Sequence, residues 1–308
     1  MFYPLLFEPI INKRLWGEEL WALSALQGNE SVVLNGELKG NTLPELVEIF
    51  MGDLVGEEVF NRYETDFPLL FKFIDAQDRL SVQVHPDDEQ AQFRYGEDGK
   101  TEMWYVLDAK TDAEIILGFR RKVTETEIRR YLRQNALTDI LQQIKVRKGD
   151  AVYIPAGTVH ALGAGVQVVE IQQSSDVTYR LYDYARRDKD GNLRELHIDD
   201  AIAVLDRNVA SEQLLKYDRK AQKALIKQCQ YFTTNLLTLD NAILRDYSQT
   251  DSFVVYMCLE GRAEVRTVGN EPVCFGEKQA MLLPAKIDAA AIIPQSEGCK
   301  IMEVYIEQ

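Results

Sequence analysis

The chain has 308 residues and carries 35 Lys and Arg against 49 Asp and Glu, a net charge of −14 at neutral pH. Hydrophobic residues make up 46% and charged residues 27%, so a sizeable core can be buried, and the length suits about two domains. The negative balance argues against a general nucleic-acid binder and against attraction to anionic membranes, both of which call for a basic face.

No run of about eighteen apolar residues is present, so no membrane span is expected. The start MFYPLLFEPIINKRLWG lacks a basic leader and an A-x-A type site, which predicts no secretory signal. Cys229, Cys258, Cys274 and Cys299 are scattered without a C-x-x-C pair. They read as free or buried thiols, and the cytoplasm is the expected compartment.

Residues 1–65 read as an outer layer. Within them Thr42 followed by Pro44 and an apolar run predicts a helix start. From Phe67 onward PLLFKFIDA, RLSVQVHP, TEMWYVLDA and AEIILGF are short strand-like runs broken by Asp, Gly and Asn. Thr124 with Glu127 three residues on is a capping-box signature and opens a helical insertion over about 123–144. Strand texture resumes at KVRKGDAVYIPAG, VQVVEIQQ and TYRLYDYA, and a helix is expected at 198–205. The charged stretch 207–230 reads as a linker. Beyond it, 231–308 reads as a second β segment containing DSFVVYMCLEG, RAEVRTV, QAMLLPA and KIMEVYIE. Sequential short strands of this kind point to antiparallel sandwiches or barrels.

Chemistry concentrates in three of these runs. In Ser81-Val82-Gln83-Val84-His85-Pro86 the strand period puts Gln83 and His85 on one face. Burying an unpaired amide or imidazole costs about 1–3 kcal/mol, so the pair needs partners. The stretch from Gly149 to His160 has a turn glycine, a buried strand and a Pro-x-Gly corner that presents His160 at the strand end. It matches G-x5-P-x-G-x2-H at every defined position and resembles the second motif of the cupin superfamily. Glu102, which opens the run after Gly99-Lys100-Thr101, adds a carboxylate. Two imidazoles, a carboxylate and an amide make a plausible Zn²⁺ set.

The order SVQVHPDD, KTEMWY, IPAGTVHAL and an Arg in the strand after VVEIQQ resembles type I mannose-6-phosphate isomerase in its short bacterial form, from about Trp16 to 185. The resemblance implies a mainly β chain of two cupin-like β-barrel (jelly-roll) domains with a helical insertion and helical linker elements. It divides the chain into a catalytic domain at 1–206, the linker, and a C-terminal domain at 231–308. It makes Gln83, His85, Glu102 and His160 ligands of one Zn²⁺ per chain, and it implies interconversion of mannose 6-phosphate and fructose 6-phosphate. Arg180 aligns with the family's active-site arginine, Lys100 is a second cation and Glu170 a candidate proton shuttle. The expected partner is a small sugar phosphate, with neither nucleic acid nor membrane, and the chain is expected as a monomer or homodimer. Arg14, Lys13 and Arg186 remain for the phosphate, with no motif to choose among them.

Other readings stay open at this point. Two His and one carboxylate also suit a cupin Fe(II) oxygenase, and a non-catalytic sugar-binding cupin would share the motifs. His197 reads as a cap or surface residue, and Asp87-Asp88-Glu89 as an acidic helix start. In the C-terminal segment Met281-Leu282-Leu283-Pro284-Ala285 echoes the Ile154-Pro155-Ala156 corner. Lys286 stands where Gly157 would be and Ala289 where His160 would be, so a barrel without metal is expected there.

Overall fold

The computed structural model describes residues 2–187, 190–209 and 214–307. Its contacts divide into two units, one of segments 12–19 and 73–215, the other of 1–11, 20–72 and 216–308.

In the first unit a five-stranded sheet runs in the order Tyr179–Tyr182, Val82–Val84, His160–Leu162, Glu114–Phe119, Leu141–Lys145. A second sheet places Val166–Gln173, Glu102–Ala109 and Ala151–Ile154 side by side, and the ladders between them are antiparallel. Ile115, Leu117 and Leu162 of the five-stranded sheet pack with Trp104, Val106, Val152, Ile154, Val166 and Val168 of the other, forming the core between the sheets. The opposite face of the five-stranded sheet buries Val82, Val84, Ile116 and Ala161 in a separate cluster with Ile128, Ala201 and Ile202 of two covering helices. Alternation therefore turns Gln83, between Val82 and Val84, away from that cluster.

Two helices of this unit begin with reciprocal caps, the first of them where the sequence places it. Thr124 and Glu127 form a reciprocal capping box at Glu125–Arg133, and Asp87 does the same with Gln90 at Asp88–Tyr95. The insertion is less helical than its expected span of 123–144. Its helix ends at Arg133, before Asn135 in the left-handed region, and Leu141–Lys145 is a strand paired with Glu114–Phe119. Leu141 is buried there, which a solvent-facing helix end would not achieve.

The second unit has a six-stranded sheet in the order Leu5–Leu6, Ala280–Leu283, Val254–Glu260, Cys299–Tyr305, Thr233–Leu239, Lys223–Gln228. A four-stranded sheet follows the order Ile243–Asp246, Ala289–Pro294, Arg262–Arg266, Val273–Gly276. Residues 20–72, which the sequence groups with the residues after them, fall in this unit. Local hydrogen bonds give the reason. Leu54 accepts from Ala285 N–H at 2.8 Å, Val55 from Phe253 N–H at 3.0 Å, and the Asp251 carboxylate takes the first N–H groups of helix Glu57–Tyr63 at 2.8 and 2.9 Å. The expected linker 207–230 includes the strand Lys223–Gln228, and its residues 210–213 lie outside the described ones. Among the described residues no sheet closes on itself, and no helix is long and apolar enough to cross a membrane.

Candidate metal centre

His85 follows the strand Val82–Val84, His160 opens the strand paired with it, and Glu102 opens a strand of the other sheet. One ligand atom from each of His85, Glu102 and His160 lies within 4.8 Å of the others, and all three residues are buried. The corner between Ile154 and His160 sets this convergence. Gly157 takes φ of 82°, and its N–H donates to the His85 carbonyl at 2.8 Å. A Cβ on Gly157 would come within 3.0 Å of the Val204 carbonyl, so glycine suits both the turn and the close approach.

The hydrogen bonds fix both ring tautomers. His85 Nδ1 lies 2.9 Å from the Val177 carbonyl and His160 Nδ1 2.8 Å from the Thr158 carbonyl, so each Nδ1 carries the proton. Both Nε2 atoms then present lone pairs. His160 Nε2 stands 3.2 Å from Glu102 Oε1, an oxygen with no hydrogen-bond partner. Two acceptors face each other there with no hydrogen between them, an arrangement that a cation resolves. Gln83 directly opposes His160, and its amide end lies 3.4 Å from His160 Nε2. Swapping the amide oxygen and nitrogen would turn an acceptor toward the same point.

Electrostatics keep the set ready for a cation. Burial, aided by Lys100, lowers the His85 pKa to about 3, and burial lowers that of His160. Both rings are therefore neutral at physiological pH. Burial works to raise the Glu102 pKa, but the Lys100 ammonium, which donates to it, outweighs that and holds the carboxylate ionised.

The residues assigned from sequence are not all equally near. Lys100 Nζ donates to His85 Nε2 at 3.0 Å and to Glu102 Oε2 at 2.8 Å. Burial opposes its charge, yet Glu102 and Glu170 raise its pKa, so it is an ammonium. Arg180 opposes Gln83 across the ladder, which puts Arg180, Gln83 and His160 on one rung and one face. Its Nη1 donates to the Glu195 carbonyl at 2.8 Å, and its Nε is buried without a hydrogen-bond partner. Glu170 lies deeper on that side of the other sheet, where its Oε2 accepts from the Trp104 indole at 2.7 Å. The Arg180 N–H donates to His197 Nδ1 at 3.1 Å, so His197 ties a helix start to the strand. Arg186 is engaged by Asp183 at 2.5 Å and the Arg79 carbonyl at 2.8 Å, and Arg14 by Glu19 at 3.1 Å; Lys13 precedes Arg14 on Ile10–Arg14. Trp104 was not singled out from sequence. Its signal is its place two residues after Glu102, which the strand period turns to the same face.

Fold and site together define a β protein with a buried, neutral two-histidine, one-carboxylate cluster set against an ammonium. Residues 6–136 match the family model described as the catalytic domain of type I phosphomannose isomerase. Mannose-6-phosphate isomerase ManA of Bacillus subtilis is 38% identical over 303 residues, 91% of this chain and 93% of that protein. The mannose-6-phosphate isomerase of Streptococcus mutans is 36% identical over 307 residues, 93% and 94% of the two chains. The crystal structure of the Bacillus subtilis mannose 6-phosphate isomerase superposes with a TM-score of 0.86 at 31% identity, covering 98% of this chain and 99% of that one. A putative mannosephosphate isomerase from Archaeoglobus fulgidus, at 19% identity and a TM-score of 0.81 over 100% and 99%, shares the fold. The chain belongs to the type I phosphomannose isomerase family.

Proposed function

We propose that this protein interconverts mannose 6-phosphate and fructose 6-phosphate as a zinc-dependent isomerase built on two cupin-like β domains. The observation that carries the reading is the convergence of His85, Glu102 and His160 with both Nε2 lone pairs turned inward, in a chain of this family. Gln83 is the fourth donor, which leaves the set with one anionic ligand and a net positive charge once a divalent ion is bound. The scattered thiols fit a reducing cytoplasm.

Aldose–ketose isomerisation moves a proton between adjacent carbons through an enediol. It calls for stabilised oxygen charge and a group that relays the proton. Zn²⁺ supplies Lewis acidity toward the sugar oxygens without redox chemistry. Lys100, charged and buried beside His85 and Glu102, donates a hydrogen bond to the oxygen that gains charge. Arg180, permanently cationic and on the Gln83–His160 rung, stabilises the enediolate or holds the phosphate and does not act as a base. The sequence offers Glu170 for the carbon-bound proton, but its Oε2 accepts from the buried Trp104 indole at 2.7 Å, which favours a structural role.

The test is a coupled assay for fructose 6-phosphate formed from mannose 6-phosphate, before and after chelation, with metal analysis of the purified protein. Turnover that is lost on chelation and restored by zinc is expected. Bound iron with oxygen consumption and no sugar-phosphate turnover would overturn the reading in favour of an oxygenase.

A further inference from the structure

Register relates the two units strand by strand. Glu102 lies opposite Ile154, just before the Pro155 corner, and Val254 lies opposite Leu283, just before Pro284. Two residues along each strand, Trp104 faces Glu170 and Tyr256 faces Glu303. Val254 thus occupies the place of Glu102, and Ala289 the place of His160. The carboxylate of the Glu170 position persists as Glu303, in a unit whose sequence contains no histidine.

Glu303 is fully buried and held on every side. It accepts from Tyr247 at 2.5 Å, from Arg245 at 2.7 and 3.2 Å, and from Asn235 at 2.9 Å, while the Tyr247 hydroxyl also pairs with that of Tyr256. A carboxylate kept where both the Glu102 and His160 positions are apolar serves the fold: it anchors the polar edge of aromatic side chains in the core of that unit. Glu170 has the same kind of neighbour, because the Trp104 indole donates to it at 2.7 Å. That indole meets the His160 ring edge-on, with centroids 5.5 Å apart and planes at 78°. Trp104 is 1% exposed, His160 0% and Glu170 4%, so no solvent path relaxes the contact. The cations differ: Arg245 pairs with Glu303 directly at 2.7 Å, whereas Lys100 bonds to Glu102 and His85.

We propose that Glu170 is a positioning residue: it locks the Trp104 indole, and the indole fixes the His160 ring with Nε2 directed at Glu102. The Nδ1 bond to Thr158 holds one edge of the ring, and Trp104 stops it swinging about that bond. The inference rests on the metal reading above, and the test keeps the two separable.

Zinc affinity is measured by chelator competition for wild type, Glu170→Gln, Glu170→Ala, Trp104→Phe and the double variant Trp104→Phe/Glu170→Ala. Solvent-hydrogen exchange into the substrate is followed in parallel. Glu170→Gln keeps an acceptor for the indole and should retain both zinc affinity and exchange within about threefold. Glu170→Ala and Trp104→Phe should each weaken zinc binding by about tenfold or more, the range for groups that orient a ligand. The accompanying loss of kcat should be recovered by excess zinc with KM unchanged, and the double variant should be no worse than the weaker single one. Loss of exchange in Glu170→Gln with normal zinc binding would make Glu170 a proton-transfer group and overturn the proposal. So would wild-type zinc affinity in Trp104→Phe; if that variant does not fold, Glu170→Gln carries the test alone. A wild type that binds no zinc removes the metal reading itself, and its titration reveals that before any variant is compared.

Discussion

The strand that begins at Glu102 and the strand that begins at Val254 hold the same place in their sheets, yet one leads into a metal-ready cluster and the other into an apolar core. At the register positions of Glu102 and His160 the second unit has Val254 and Ala289, and at Gly157 it has Lys286. Its corner is tied elsewhere too, with the Lys286 N–H donating to the Asp53 carbonyl at 3.2 Å. What both units retain is the buried carboxylate that accepts a hydrogen bond from an aromatic side chain. The histidines are thus confined to the unit that carries the candidate metal cluster, while a buried carboxylate beside an aromatic is common to both.

Four measurements press on that division. Replacing His160 with Ala should remove bound metal and turnover together, the largest effect. Full zinc occupancy in that variant would unseat His160 as a ligand and leave the two units alike. Glu303→Ala should cost about 1–3 kcal/mol in urea unfolding, since it leaves the buried Tyr247 hydroxyl and Asn235 amide, and the half-buried Arg245, without their acceptor. An unchanged midpoint would show that the second unit does not depend on its carboxylate. Arg180→Ala should keep the metal and lower kcat by about 10²–10³, as removal of an oxyanion-stabilising donor does; near-normal kinetics would return Arg180 to a structural role. The smallest effect concerns pH. In metal-stripped protein His85 stays neutral down to about 3, whereas the unfolded residue titrates near 6.5. Between those values only the unfolded chain takes up the proton. The stability from this group is therefore complete above pH 6.5 and lost as pH falls toward 3, by about 1.4 kcal/mol per pH unit. Urea titrations at pH 7, 6 and 5 measure the slope, and a flat profile would contradict burial of a neutral ring.

The metal-candidate residues could be read from sequence because each sits in a local pattern: alternation around Gln83 and His85, a strand start at Glu102, and a Pro-x-Gly corner before His160. Capping at Thr42 and Thr124 is equally local, and both helices begin there. What escaped depends on distant partners. The two-residue strand Leu5–Leu6 pairs with Met281 and Leu282, and nothing in its own composition announces that. The Arg245, Tyr247 and Glu303 network joins residues more than fifty positions apart, so only the register brings them together. Leu141–Lys145 escaped for another reason: a short Leu-Gln-Gln-Ile run suits either a helix end or a strand, and pairing with Glu114–Phe119 decides it.

The Gly157 peptide has a mechanical consequence. Its N–H holds the His85 carbonyl at 2.8 Å, and its own carbonyl accepts from the Asp206 N–H at 2.8 Å. The two imidazoles therefore hang from one hydrogen-bonded knot, although 75 positions separate them in the chain. The backbone under one ring cannot shift without loosening the backbone under the other, so the spacing between the two imidazoles is set by a single peptide group.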